Sequence, residues 1–207
     1  MGCGGTILKH KKAGDAIHWL IVTAMFENEG FSKKRVRQRK KEIAKVSQAY
    51  GFKSIHELDF PTSQLDQVPL KDIIAKVGDV FHKIKPEWVY VPNRSDSHSD
   101  HYYVFKAVLS CCKWFRFGSI KKVLMYETIS ETEFSPSLTE NVFVPNSFSD
   151  ISPYLKKKLE ILKIYRSEIG AVPFPRSIVN VKSLSAFRGA MSGCAFAESF
   201  YIIKETL

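Results

Sequence analysis

Residues 87–104 read EWVYVPNRSDSHSDHYYV, and the fold turns on how that stretch divides. Its first five residues, 87–91, form a short apolar run rich in β-branched and aromatic side chains, as in a strand covered on both faces. Pro92 and Asn93 break the run. From Ser99 onward apolar residues return at Val104, Ala107, Val108, Cys111 and Phe115, which is the stripe of a helix. A buried strand, a short loop and a helix in that order make half of a βαβ unit.

The same alternation extends in both directions. Toward the N-terminus, 69–85 places Leu70, Ile73, Ile74, Val77, Phe81 and Ile84 at helical spacing, and Pro86 ends that helix. A short strand is expected near 54–58 and a basic helix over 32–50, closed by Gly51. The run AIHWLIVTAM at 16–25 predicts a buried strand, and 2–13 a short helix with Ile7 and Leu8 inward and Gly14 as its stop. Toward the C-terminus, 121–127 and 141–144 predict strands, and 153–169 predicts a helix with Leu155, Leu159, Leu162 and Ile169 facing the core. A last helix is expected over about 184–199, capped by Ser183. The order implies one α/β domain over 1–207, with a mostly parallel sheet flanked by helices. The loop 128–140, rich in Ser, Thr and Glu, is the longest and is expected to border a site. One feature is odd. Doubly wound domains begin with a strand that feeds a glycine-rich turn. Here the glycines start at residue 2 with no strand before them, so the chain reads as starting inside a βαβ unit.

Composition narrows the function. The chain is 44% hydrophobic and 25% charged, ordinary for a folded domain. Thirty-one Lys and Arg against 21 Asp and Glu leave +10, which favours anionic partners or simply aids solubility. Cys3, Cys111, Cys112 and Cys194 form no C-x-x-C pair; Cys111 and Cys194 fall on apolar stripes and read as small core hydrophobes. A reducing, cytoplasmic setting is expected. WLIVTAMF is too short to span a bilayer. MGCGGT matches an acylation pattern, with Cys3 placed for a second chain, but the match is short and easily met by chance.

Candidate chemistry gathers after strand 87–91. Ligands of open α/β sheets bind outside the carboxyl ends of the strands, and Asp96, His98, Asp100 and His101 lie there. His101 is on the helix stripe and is expected to point inward. Imidazole suits zinc, and a neighbouring carboxylate fixes a histidine's tautomer. The plainer alternative is that Ser99 and Asp100 cap the helix and the histidines fill space. His10, His18, His56 and His82 show no such clustering and read as surface or structural histidines. In helix 32–50, Arg39 falls near the centre of the stripe Val36, Ile43, Val46, Ser47 and Tyr50. An inward guanidinium needs an anion: Glu42, or a substrate carboxylate, phosphate or oxyanion. Reaching outward to solvent is the other option.

These residues resemble the PIG-L / LmbE-like zinc-dependent de-N-acetylases. GCGGTILKHKKAGDAIHWLIVT is similar to the segment after that family's metal motif, SDSHSDH to its D-x-H-P-D-H motif, and RQRKKEIAKVSQAYGF to its R-x-x-E helix. YETISETEF and FRGAMSGCAFAESF resemble its later pattern. The resemblance implies a Rossmann-like fold, a Zn2+ cofactor and removal of an N-acetyl group from an amino-sugar conjugate. It implies His101 as a metal ligand, His98 as the residue that stabilises the oxyanion and protonates the leaving amine, and Asp100 as the carboxylate orienting a neighbouring histidine. Arg39 and Asp96 are expected at the substrate. The basic excess suggests an acidic aglycone. Two departures stand out. Ser99 replaces the usual proline, and the H-P-D-D-E motif, with its metal ligands and general base, is expected upstream of Met1. Impaired catalysis, doubtful metal binding and an exposed apolar sheet edge or groove would follow. The competing expectation is a non-catalytic module that binds nucleic acid or another polyanion through helix 32–50. That helix lacks interleaved aromatics, so nucleic acid is not the expected partner.

Overall fold

A computed structural model describes residues 2–207; Met1 of the MGCGGT pattern lies outside them. The elements run α1 (Gly4–Ala13), β1 (His18–Ala24), α2 (Lys33–Tyr50), β2 (Ser54–Pro61), α3 (Leu70–Ile84), β3 (Trp88–Pro92), α4 (Ser99–Cys111), β4 (Lys122–Tyr126), β5 (Ser147–Asp150), α5 (Leu155–Leu162), α6 (Ile178–Ser192) and β6 (Ala197–Glu205). Through β4 this is the expected alternation. Local signals set its boundaries. The Ser32 hydroxyl accepts the Arg35 N–H at 3.2 Å to open α2, and Gly51 closes it at φ +67°.

The C-terminal third departs from expectation. No strand forms at 141–144, where Val142 and Val144 are exposed; β5 at Ser147–Asp150 takes the sheet edge instead. The helix expected over 153–169 is only α5 followed by a 3-10 turn at Arg166–Glu168. The last helix starts earlier, capped by Ser177, and ends at Gly193, which turns at φ +76°. Cys194 therefore lies past the helix, and 197–205 is a strand.

The strands form two sheets. β1 pairs with β2 in parallel, and the second sheet has the order β3-β4-β6-β5. β3 and β4 are parallel, while β6 runs antiparallel to both β4 and β5. One hydrophobic core joins the sheets beneath α3 and α4: Leu58 and Phe60 of β2, Val89 and Val91 of β3, and Val123 of β4 share it with Ile73, Val77 and Val108. Lys76 of α3 also donates to the Leu58 carbonyl at 2.8 Å. Among the described residues no helix is long and apolar enough to cross a membrane.

α1 starts at the glycines because its first turn is packed too closely for side chains. A Cβ on Gly5 would sit 2.7 Å from Ile151, and one on Gly4 would strike the Tyr50 hydroxyl. The open N–H groups of that turn are taken by a buried carboxylate. Glu198 of β6 accepts the Gly5 and Thr6 N–H groups, each at 2.7 Å, and the Thr6 hydroxyl at 2.6 Å. Lys158 balances its charge at 2.8 Å.

Candidate functional site

The loop from β3 to α4 carries the expected cluster. Asn93, buried just beyond Pro92, donates its side-chain amide to Asp96 at 3.0 Å. Asp96 also accepts the Thr132 hydroxyl at 2.6 Å and bonds His101 Nδ1 at 2.7 Å. A carboxylate only accepts, so Nδ1 carries the proton and the neutral His101 presents a bare Nε2. His98 is set oppositely. It caps α4, and its Nδ1 accepts the Asp100 N–H at 3.2 Å. Its neutral form therefore carries the proton on Nε2. The two rings stack at 15°, with centroids 5.2 Å apart.

The two aspartates meet partners other than those expected. The Asp96 side chain is 0% exposed and holds His101 from behind. Asp100 does not reach a histidine with its carboxylate. It accepts the Ser63 N–H at 2.7 Å and the Leu65 N–H at 3.2 Å, fastening the turn after β2 to the start of α4.

Arg39 points inward, as its place on the stripe predicts, and its side chain is 20% exposed. Glu42 is only its second partner, 3.8 Å away; the principal one is Glu168, with Ser167 Oγ at 3.2 Å and the Tyr165 ring beneath the guanidinium. Arg176 lies 3.4 Å from the same Glu168. Burial opposes ionisation of Glu168, but the hydrogen bond and charge of Arg39, with Arg176 and Arg35 adding, hold its carboxyl below the ordinary range. Arg39 Nε and Glu42 Oε2 are buried without hydrogen-bond partners.

Sequence reasoning missed Asn93, Thr132 and Glu168. Thr132 had a signal, since it lies in the loop expected to border a site. That loop is pinned there by the Ser97 N–H donating to the Glu131 carbonyl at 3.1 Å. Glu168 had none, because its partner is 129 residues away. His98, Asp100, His101, Arg39 and Glu168 all line one cavity of about 1080 Å³. His10 lines it too, satisfied by Asp15 at 2.6 Å and Tyr90 at 2.7 Å.

A catalytic zinc takes about three protein ligands. His101 Nε2 is one free nitrogen, and the nearest carboxylate, Asp96, is spent on Nδ1. Among the described residues no group of three His, Cys, Asp or Glu side chains gathers to hold a metal. These residues do not by themselves fit a zinc site.

The family model described as PIG-L, GlcNAc-PI de-N-acetylase, matches residues 1–112, more than half of the chain. Among solved structures, N,N'-diacetylchitobiose deacetylase from Pyrococcus horikoshii is 18% identical, with a TM-score of 0.77 over 98% of this chain and 78% of that one. The conserved protein TT1542 from Thermus thermophilus is 22% identical, with a TM-score of 0.76 over 100% of this chain and 90% of that one. GalB, the 4-carboxy-2-hydroxymuconate hydratase from Pseudomonas putida, is 18% identical, with a TM-score of 0.68 over 99% of this chain and 90% of that one.

Proposed function

The chain belongs to the PIG-L de-N-acetylase family, and from that premise we propose that it acts on the N-acetyl group of an N-acetylglucosamine-type conjugate in the cavity beside His98 and His101. The fold alone does not select this reaction, since a hydratase shares it. The family match does, and one observation supports it at the site: two stacked imidazoles held in opposite tautomers.

Amide hydrolysis adds water to the acyl carbon, breaks the C–N bond and delivers a proton to the departing amine. In this reading His98 donates its Nε2–H to the carbonyl oxygen as negative charge builds there, and then to the leaving nitrogen. The water's proton restores His98. His101, fixed by Asp96, offers its lone pair at the same rim. Zinc is the expected cofactor of the family, and among the described residues His101 is the one that matches its ligand set.

Arg39 has its charge answered by Glu168 and Glu42. It shapes the cavity wall, and the overall +10 is what supports an acidic aglycone. Saturation-transfer NMR with N-acetylglucosamine 1-phosphate tests the reading, alongside acetate release with zinc supplied. Transfer from the protein to the acetyl methyl protons is expected, weakened by His98→Ala. A wild-type chain that gives neither transfer nor acetate with phosphorylated and neutral N-acetylglucosaminyl sugars overturns it.

A further inference from the structure

The loop between α4 and β4 reads CKWFRFG at 112–118, and the fold treats its three aromatic side chains in two ways. Phe117 turns inward and packs edge-on against Phe81 and His82 of α3, with ring centroids 5.7 and 4.6 Å away. Trp114 and Phe115 turn outward and are 76% and 65% exposed. We propose that this turn docks the molecule on the surface of a bilayer that carries anionic headgroups. Both outward rings sit at headgroup depth, and the neighbouring cations lie on the lipid charges. The proposal goes beyond the reaction above and does not depend on it.

The turn holds its rings out by construction. Arg116 and Phe117 donate their N–H groups to the Lys113 carbonyl at 2.9 and 3.2 Å, and the Ile120 N–H donates to the Phe117 carbonyl at 3.2 Å. Lys204 of β6 closes the neck: its Nζ donates to the Cys112 carbonyl at 3.4 Å and to the Ile120 carbonyl at 3.2 Å. Cys112 and Ile120 are buried there. A loop fastened at its neck and across its middle keeps Trp114 and Phe115 off the core. Their exposure is unfavourable, since each ring hides about 150–250 Å² of surface when covered. Neither lines the cavity beside His98 and His101.

Place and charge select the partner. β3 and β4 are parallel, and Asp100 ties the carboxyl end of β3 to the turn after β2, so these strands point toward one rim. The aromatic turn precedes β4 and lies at the opposite, amino edge. α4, 13 residues long, puts about 20 Å between the turn and His98. Exposed cations gather at the same edge: Lys53 before β2, Lys83 and Lys85 before β3, and Lys113, Arg116 and Lys121 before β4. Against them stand Glu87, Asp15 and Glu205, of which Asp15 is already bonded to His10 and Glu205 to Lys122. Trp and Phe set beside Lys and Arg suit a membrane interface, where rings enter the headgroup layer and ammonium and guanidinium groups meet its charge.

Other partners fit less well. A stable protein interface takes about 800 Å² from each side, and two rings supply roughly half of that. Single-stranded nucleic acid stacks successive bases on ring faces that share one direction. Trp114 and Phe115 are perpendicular, at 90° with centroids 5.8 Å apart. A bilayer requires neither a complementary shape nor aligned faces. Docked in this way, the molecule holds the rim with His98 and His101 away from the lipid and open to solutes in water.

Co-sedimentation of the 207-residue chain with vesicles tests the docking. One set is phosphatidylcholine alone and the other contains about 30% phosphatidylserine, a charge density at which each basic residue strengthens binding about fivefold. Binding to the anionic set is expected to be at least about tenfold stronger. Trp114→Ser with Phe115→Ser should weaken it about tenfold, and Lys113→Gln with Arg116→Gln about 25-fold. All four side chains are exposed, so both variants should melt with wild type. Lipids brominated along their chains should quench Trp114, and Trp114→Phe should keep the binding while losing that quenching. Failure of wild type to sediment with anionic vesicles overturns the proposal, as does undiminished sedimentation of the serine pair. An equal loss from Lys40→Gln, Lys41→Gln and Lys45→Gln assigns the attraction to α2 and overturns it too. Tighter binding of a single-stranded oligonucleotide that quenches Trp114 overturns it in favour of nucleic acid. Self-association without vesicles, abolished in the serine pair, overturns it in favour of a second copy.

Discussion

Asp96 spends both carboxylate oxygens inside the protein, on Asn93, Thr132 and His101. Asp96→Ala strands three polar groups and is expected to cost about 2–4 kcal/mol in urea unfolding. Asp96→Asn keeps the shape but has one acceptor oxygen for three donors. Nitrogen-15 shifts should then show His101 leaving its single tautomer, which a purely space-filling role for Asp96 does not predict. Glu168 carries a pH signature. Its folded carboxyl titrates below the ordinary value of 4.5, so its contribution is complete above that value and disappears as pH falls through the lower, folded one. Glu168→Gln should cost about 1 kcal/mol at pH 7, with wild type and variant converging under acid. Equal costs at pH 7 and in acid would remove the ion-pair explanation. The sequence made His98, Asp100, His101 and Arg39 legible because periodicity and strand ends locate inward polar residues. It could not separate the roles of two aspartates four residues apart, since that depends on which distant groups meet each one.

At the scale of elements, α1 is held by a residue the sequence placed wrongly. Glu198 reads as the tail of a final helix, because GAMSGCAFAESF keeps apolar residues at helical intervals. Gly193 turns left-handed and ends the helix, so the residues after it form a strand instead. In the parallel half, β1, β3 and β4 were legible as nearly continuous apolar runs. The antiparallel half was not, because NVFV looks like a strand yet finds no edge, and the edge strand SFSD has one apolar residue in four. Glu198→Ala leaves Lys158, whose side chain is 6% exposed, without its counter-charge, and leaves the Gly5 and Thr6 N–H groups open. A loss of about 3–5 kcal/mol is expected. Adding Lys158→Met should restore part of it by removing the buried charge, and only part, because the helix N–H groups stay unpaired. Full restoration in denaturant unfolding would show that the carboxylate does nothing for α1.

Across the whole molecule, two sheets behave as one body only where something crosses between them. α3 does so through the shared core, and Asp100 does so at the rim. The Asp100 bond also holds Ser63 at φ +60°, a left-handed conformation that costs about 1 kcal/mol for a residue with a Cβ. Asp100→Ala removes both acceptors while α3 stays in place. The molecule should then stay folded but divide its stability: amides of β1 and β2 are expected to exchange roughly 30-fold faster, the equivalent of about 2 kcal/mol of lost hydrogen bonding. Amides of Val89, Val91 and Val123, buried in the second sheet, should keep wild-type rates. This split distinguishes a clamp from an ordinary buried aspartate, whose loss lowers protection everywhere alike. It also bears on the site, because His98 takes its tautomer from the Asp100 N–H. That bond comes from the backbone, so the alanine variant retains it. His98 should keep its nitrogen-15 signature even as the first sheet loosens, and a changed signature would mean that the clamp, rather than the helix cap, sets the histidine.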